Sequence, residues 1–101
     1  MGRVRAESHV DFEARVVEAV REIPFGRVCT YGDIDRRAPR RVGAILATTL
    51  EDIPWHRVVR ADGTLAMGRR QEELLLQEGV PISHGRVDLA RARYSAGRLD
   101  R

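Results

Sequence analysis

Pro54-Trp55-His56-Arg57-Val58-Val59 contains the only tryptophan of the 101-residue chain, next to a histidine and an arginine. The proline fixes its own φ and biases the residue before it toward an extended conformation, so a preceding helix must end here. The two valines predict a short buried strand. The tryptophan and the histidine would then lie at a sharp transition from helix to strand, where side chains can point into a cavity. Composition alone favours a simpler interpretation, in which the tryptophan belongs to the core.

Length and composition limit the class of protein. The chain is long enough for one small domain, and its 43% hydrophobic and 33% charged residues fit a globular protein. No apolar run reaches the length of a membrane span and no apolar signal region follows Met1, so we expect a cytoplasmic protein, associated with the nucleoid if bacterial. We also expect a monomer. The single cysteine, Cys29, excludes an internal disulfide, and no cluster has zinc-ligand spacing. We therefore expect no metal and no cofactor.

The cationic side chains are all arginine, and the net charge is +3. Arginine forks match the geometry of phosphate groups, although a GC-rich genome would give the same composition. Basic residues cluster at 36–41, 57–60 and 69–70 and in the tail from 86 to 101. This pattern makes nucleic acid a plausible partner.

Hydrophobic spacing predicts two helices at the start of the chain. Ser8 begins the first with a sequence typical of a capping box, and Pro24 and Gly26 end it. Val28-Cys29 follows as a short apolar connector. Thr30 has capping-box spacing as well and starts a short second helix, which we expect to end near Ala38.

A third helix is predicted from Pro39 to about Leu50, with two different faces. One face is a core stripe of Val42, Ile45, Leu46 and Thr49. The other consists of Arg40, Gly43, Ala44 and Ala47. Glycine in the middle of a helix is costly unless another surface approaches closely, and a packed helix–helix contact is the alternative explanation. Two short helices joined by a tight turn, the second with a small-residue face, resemble a helix-turn-helix.

The second half of the chain predicts smaller elements. Asp62-Gly63 indicates a turn between 58–60 and 64–66. An exposed loop over 67–70 leads into a helix from Gln71 to Glu78, which Gly79 would cap. Weak extended segments follow at 80–82 and 86–89. We expect one domain over residues 8–90, with flexible termini at 1–7 and 95–101.

Several motifs, in this order, resemble the DNA-binding domain of O6-alkylguanine-DNA alkyltransferases. They are Phe25-Gly26-Arg27-Val28, Thr30-Tyr31-Gly32-Asp33-Ile34, Arg40-Arg41-Val42-Gly43, the segment 54–59 and Glu78-Gly79. Tryptophan stands where the motif Pro-Cys-His-Arg-Val has its nucleophilic cysteine. This replacement marks the alkyltransferase-like proteins, which bind alkylated bases without repairing them. The resemblance implies a mostly α fold with short β strands, a winged helix-turn-helix-like DNA-binding domain of the alkyltransferase C-terminal type.

Side-chain chemistry agrees with the replacement. Alkyl transfer requires a thiolate, whereas indole offers an N–H donor and a π face but no such nucleophile. Cys29 lies away from the motif in the sequence, and we interpret it as a buried, inert thiol. In the transferases the equivalents of His56 and Glu78 activate the cysteine through water. Here we interpret this pair as a hydrogen-bonded structural remnant, and the other two histidines as surface residues.

The resemblance also implies how DNA is bound. The helix-turn-helix would enter the minor groove, and Arg40, or its neighbour Arg41, would intercalate in place of the extruded nucleotide. Tyr31 resembles the tyrosine that pushes on the 3′ phosphate of that nucleotide. The DNA-binding residues would be Tyr31, Arg40, Arg41, Gly43, Ala44 and Ala47. The lesion pocket would consist of Trp55, His56, Arg57, Arg69 and Glu78. Arg70 is the alternative to Arg69 in the loop 66–70, which in the family is a lid that closes over the base.

The chain also departs from the family pattern. The spans from Asp35 to Arg40, Thr48 to Ile53 and Ala66 to Arg70 are short, and the usual Asn hinge is missing. These departures bear on which lesions the protein binds and on how tightly it binds them.

The preferred interpretation is a non-enzymatic DNA-damage sensor. It would bind O6-alkylguanine in duplex DNA, flip the base, and mark the site for nucleotide excision repair through that pathway's damage-recognition ATPase. One alternative is a suicide alkyltransferase that uses Cys29. The other is a small winged-helix regulator that binds a specific undamaged sequence.

Overall fold

The first helix, α1 (His9–Arg21), begins where the sequence predicts it. The Oγ atom of Ser8 accepts a hydrogen bond from the backbone N–H of Asp11 at 3.1 Å, which satisfies one of the donors that a helix start leaves unpaired. The computed structural model describes residues 7–95. Residues 1–6 and 96–101, which make up most of the predicted flexible termini and the end of the basic tail, lie outside the described residues.

Within 7–95 the chain is mostly helical with short strands, as predicted. The remaining elements are β1 (Cys29–Thr30), α2 (Tyr31–Ile34), α3 (Pro39–Thr48), a 3₁₀ turn (Trp55–Arg57), β2 (Val58–Val59), α4 (Gly68–Gln77), β3 (Ile82–Ser83), β4 (Arg86–Val87) and α5 (Leu89–Ala92). None of the described helices is long and apolar enough to cross a membrane.

The parallel pair β1–β2 lies between two clusters of the core. Cys29 pairs with Val58 in this sheet, so the predicted connector is in part a strand. Because successive residues of a strand point to opposite faces, Cys29 and Val58 belong to one cluster, and Val28 and Val59 to the other. The first cluster also contains the buried residues of α1 and α3. The second contains buried residues of α4, β4 and α5.

The second helix, α2, begins with the capping box that the sequence predicts. The Thr30 hydroxyl accepts from the N–H of Asp33 at 3.0 Å, and the Asp33 carboxylate accepts from the N–H of Thr30 at 2.9 Å.

The predicted end of α2 near Ala38 is wrong, because the helix ends at Ile34. The carboxylate of Asp35 accepts hydrogen bonds from the N–H groups of Arg37 and Ala38, both at 2.9 Å. A side chain that binds these N–H groups forms a turn in place of further helix. This turn leads directly to the proline that starts α3, and α2 and α3 pack together as a helix-turn-helix.

The fourth helix, α4, begins at Gly68, so the predicted loop over 67–70 is wrong for its last three residues. No serine, threonine or aspartate precedes this helix to cap it. The side-chain oxygen of Gln71 instead reaches back and accepts from the N–H of Met67 at 2.9 Å. Gly79 follows the helix with φ +79°, as expected for a glycine after a C-cap.

Two further strands, β3 and β4, form an antiparallel hairpin, the wing of the fold. The second predicted extended segment is too long, since Leu89 already begins α5. The backbone of Val28 then holds the last part of the described chain: its N–H donates to the carbonyl of Ala92 at 2.9 Å, and its carbonyl accepts from the N–H of Tyr94 at 2.8 Å.

Candidate nucleic-acid interface

The carboxylate of Glu78 connects three separate parts of the chain. It accepts hydrogen bonds from the backbone N–H of Gly26 at 2.8 Å and from the Arg57 guanidinium at 2.8–3.1 Å. Nε2 of His56 lies 2.7 Å from the same carboxylate. The predicted pairing of His56 with Glu78 is therefore confirmed. The Glu78 side chain is 7% exposed, so this carboxylate is a buried anchor.

These contacts decide the charge of Glu78. Burial alone would raise the pKa of its carboxyl group, but the hydrogen bonds from Arg57, Gly26 and His56 outweigh burial and lower the pKa from 4.5 to about 2. Glu78 is therefore ionised at neutral pH.

Arg57, which the resemblance predicts in the lesion pocket, makes structural contacts. Its guanidinium binds Glu78, and its Nη1 donates to the carbonyl of Ile23 at 2.9 Å. With its donors directed to these partners and its side chain 16% exposed, Arg57 connects the motif to α4 and to the chain after α1. The sequence shows a charge after His56 but not the carbonyl that the charge binds, and the place of Arg57 in a lesion pocket stays a prediction.

Trp55 lies in the 3₁₀ turn that begins the motif, half-buried against the first core cluster. Its ring meets the ring of His56 edge to face, with centroids 5.8 Å apart. One side of the indole packs on the core and the rest is accessible, so the core interpretation is right in part, and the place of Trp55 in a lesion pocket stays a prediction.

An apolar cleft of about 330 Å³ opens between the helix-turn-helix and the segment that precedes α4. Its lining residues are Tyr31, Pro39, Arg40, Gly43, Arg60, Ala66 and Met67. The cleft thus brings together three of the predicted DNA-binding residues, one from α2 and two from α3. Four of its lining residues have no polar side-chain group, and the side chains of two arginines and one tyrosine supply the polar groups.

Gly43 leaves the cleft more open than helix packing requires. A Cβ atom at this position would lie 3.7 Å from Cε1 of Tyr31, an ordinary van der Waals distance. Alanine would therefore fit against Tyr31, and the α2–α3 contact alone does not explain the glycine. A glycine here leaves the α3 backbone open to close approach by another molecule.

Tyr31 is a hydrogen-bond donor at neutral pH. Burial raises the pKa of its phenol, and the positive charge of Arg60 opposes only part of that effect. A neutral hydroxyl at the side of a cleft can donate to a phosphate oxygen.

The structure separates the two candidate finger residues. The guanidinium carbon of Arg41 lies 3.8 Å from the centroid of the Phe12 ring, a cation–π contact with α1. Arg40 is exposed and lines the cleft. Arg40 is therefore the better placed of the two to enter DNA.

The remaining predicted contacts lie on exposed helix surfaces. Ala44 and Ala47 are exposed along α3, beside the cleft residue Gly43. Arg69 and Arg70 were predicted in a lid, but they lie in the first turn of α4, exposed and outside the lining of the cleft. His9 and His84 are exposed, as predicted.

Cys29 is 7% exposed, as predicted for a buried thiol. Its Sγ donates to the carbonyl of Tyr94 at 3.4 Å. The expectation that it lies away from the motif is wrong in space, because its strand pairs with Val58. The small pocket that it lines lies between α1, α2 and the C-terminal segment and does not share lining residues with the cleft.

A larger groove, of about 400 Å³, runs along α1. It is lined by Val10, Glu13, Ala14, Val17, Glu18, Arg21 and Glu51. Its single arginine is already paired with a glutamate, at 2.9 Å. Uncompensated carboxylates repel phosphates, so this groove does not suit DNA.

Sequence reasoning missed four residues of the cleft: Pro39, Arg60, Ala66 and Met67. Only Arg60 left a signal, as part of the basic cluster at 57–60. The other three carry no charge. The resemblance marks the span 66–70 as a lid, but only the fold shows that residues 66–67 lie beside α3.

The chain is similar in sequence to known proteins. Residues 11–80 match the family model described as 6-O-methylguanine DNA methyltransferase, DNA binding domain. A DNA base-flipping protein of Escherichia coli (strain K12) is 40% identical over 103 residues, which cover 90% of this chain and 80% of that protein. Alkyltransferase-like protein 1 of Schizosaccharomyces pombe is 38% identical over 85 residues, which cover 71% and 79%.

A solved structure extends the comparison to the fold. The crystal structure of S. pombe Atl1 in complex with damaged DNA containing O6-carboxymethylguanine has a TM-score of 0.77 and 30% sequence identity, covering 87% of this chain and 98% of that one. Relatives also include an enzyme, a methylated-DNA–protein-cysteine methyltransferase of Methanopyrus kandleri. It is 55% identical over 53 residues, which cover 48% of this chain and 40% of that protein.

Proposed function

Because the chain belongs to the family of the 6-O-methylguanine DNA methyltransferase DNA-binding domain, we propose that it is a non-enzymatic sensor of DNA damage. It binds duplex DNA through α3 in the minor groove, flips an O6-alkylguanine into the site beside Trp55, and transfers no alkyl group. The family resemblance of the motif and the similarity to base-flipping and alkyltransferase-like proteins support this function.

One observation carries the proposal. Trp55 stands at the first position of the 3₁₀ turn, directly beside the His56–Glu78 pair, and by the family resemblance it takes the place of the motif's cysteine. Indole has no thiolate, so this position can stack on a base but cannot accept its alkyl group. The His56–Glu78 pair is bound by Arg57 as well, and this arrangement suits a structural support for the pocket.

Affinity for matched duplexes tests the proposal. At fixed salt we expect the protein to bind a duplex with one O6-methylguanine at least about fivefold more tightly than the unmodified duplex, since stacking contributes about 1–3 kcal/mol per base. Trp55→Ala should remove this preference and leave phosphate-driven binding, and Trp55→Phe should retain most of it. Equal affinity of the unaltered protein for both duplexes would contradict lesion recognition, and selection of a specific unmodified site would indicate a regulator.

Intact mass tests the absence of catalysis. After incubation with methylated DNA we expect no change in protein mass. A gain of one methyl group would make the protein an alkyltransferase, with Cys29 as its acceptor.

A sensor that leaves the lesion in place requires another system to remove it. We propose that the bound, flipped complex recruits the damage-recognition ATPase of nucleotide excision repair, and that the protein acts as a cytoplasmic monomer. If that ATPase is retained on a lesion duplex only when this protein is present, the result would support recruitment. Retention that does not depend on this protein would contradict it.

A further inference from the structure

We propose that Arg60 binds a DNA phosphate at the mouth of the cleft, beside the hydroxyl of Tyr31. The inference rests on the proposed function and adds to it a specific phosphodiester contact. It is independent of the lesion, because a phosphate is present whether or not the base is alkylated.

The backbone of Arg60 is held in place at one side of the cleft. The residue directly follows β2, where its N–H donates to the carbonyl of Thr64 at 3.0 Å. Its own carbonyl accepts from Gly63 at 2.8 Å, which closes the turn. A short turn fixed at both ends gives the side chain a defined origin, so binding a ligand orders little more than that side chain.

The charge of Arg60 is available to a ligand. The arginines that form ion pairs with carboxylates within 7–95 are Arg15, Arg21, Arg57 and Arg93. Arg60 forms no such pair in this part of the chain. Its side chain makes one long hydrogen bond, from Nη1 to Oγ1 of Thr64 at 3.4 Å, in an exposed setting. This leaves most of its donors directed at solvent beside an apolar cleft.

Tyr31 supplies the second half of the site. Arg60 lies near enough to act on the ionisation of the Tyr31 phenol, and both residues line the same cleft. A neutral O–H donor beside a guanidinium can bind two oxygens of one phosphodiester, and charge-assisted hydrogen bonds of this kind are strong. Arg40 lines the cleft as well, so DNA inserted there would meet cationic groups from α3 and from the end of β2.

Salt dependence tests the phosphate contact. Binding of unmodified and O6-methylguanine duplexes is measured between about 50 and 200 mM salt. For Arg60→Ala we expect the slope of log K against log salt to decrease by about 1, and affinity near 0.1 M salt to fall about tenfold on both duplexes. Arg60→Lys should keep the slope, and Arg91→Ala, an exposed arginine of α5, serves as the matched control. An unchanged slope for Arg60→Ala would overturn the proposal.

Neutral methylphosphonates locate the contact. Each phosphate around the lesion is replaced singly, and we expect one position to weaken binding by the unaltered protein clearly more than it weakens Arg60→Ala, in which only the Tyr31 contact to that phosphate remains. Additive losses at every position would overturn the proposal. Failure of the proposed function gives a different result: the unaltered protein then binds both duplexes equally. That result does not depend on how the salt dependence of binding changes in the Arg60 variants.

Discussion

Arg40 and Arg41 are neighbours in sequence but have different surroundings. Arg41 lies over the buried ring of Phe12, whereas Arg40 reaches the cleft. We expect Arg40→Ala to abolish most base flipping with little change in stability, because its side chain is exposed. Arg41→Ala should instead reduce stability by about 0.5–1 kcal/mol and retain flipping. Fluorescence of 2-aminopurine placed at the flipped position checks both variants, and a larger flipping defect for Arg41→Ala would reverse the assignment.

Glu78 makes stability depend on acid pH. Its pKa is lowered in the folded protein to about 2, so its contribution is complete above pH 4.5 and is lost as the pH falls from 4.5 through 2. We expect Glu78→Gln to lose about 3 kcal/mol of unfolding free energy at pH 7, and this loss to shrink as the pH falls through that range. Urea unfolding at several pH values measures both effects.

Glu51 offers the matched control for this prediction. It also pairs with an arginine, Arg21, but both side chains are about half exposed, at 55% and 45%. Exposed pairs contribute at most about 1 kcal/mol, so Glu51→Gln should change little. A difference between the unaltered protein and Glu78→Gln that stays constant down to pH 2 would show that Glu78 acts by packing and not by its charge.

At the scale of elements, the turn after β2 depends on Gly63. Its φ is +87°, and a Cβ atom there would lie 2.6 Å from the carbonyl oxygen of Val87, a backbone atom that cannot move aside. Gly85 in the β3–β4 hairpin has a similar φ of +77° but has no atom within 4 Å of such a Cβ. Gly63→Ala should therefore cost about 3 kcal/mol or more, and Gly85→Ala about 1 kcal/mol, the cost of the strained φ alone. Equal losses in urea unfolding would show that the close contact relaxes.

Local signals predicted the elements that local interactions build. Ser8, Thr30 and Pro39 mark helix starts, because capping and the fixed φ of proline depend on residues within one turn. The start of α4 was missed because its first residue follows no capping side chain, and the Gln71 side chain that binds the N–H of Met67 reaches back from inside the helix. β1 was missed because a two-residue strand has no periodicity to detect.

The site, too, was predictable only where a motif or a helix face in the sequence carries the signal. The family motif gave His56 with Glu78, and the small-residue face of α3 gave Gly43 with Arg40. Pairing of Arg57 with the carbonyl of Ile23 could not be predicted, because the residues are 34 positions apart and any carbonyl accepts. Arg60 could not be assigned either, since its position beside Tyr31 exists only in the folded chain.

At the scale of the whole molecule, we propose that the domain extends beyond the predicted boundary at residue 90. Ala92 is 1% exposed in the second core cluster, and backbone hydrogen bonds attach Ala92 and Tyr94 to Val28. Arg93 adds an ion pair with Asp33 of α2. A chain that ends at Asp88 would lose all of these contacts and expose the core beneath them.

We expect that shorter chain to lose about 3–5 kcal/mol, from two buried backbone hydrogen bonds and the apolar burial of α5. For a domain of this size the loss corresponds to a fall in Tm of about 15–30 °C, which thermal unfolding followed by circular dichroism measures. A chain that ends at Ser95 keeps every one of these contacts and serves as the control, so it should melt with the full chain. If the chain that ends at Asp88 also melted within about 3 °C of the full chain, α5 would be an appendage, and the Arg93–Asp33 pair would not help to fix the helix-turn-helix that meets DNA.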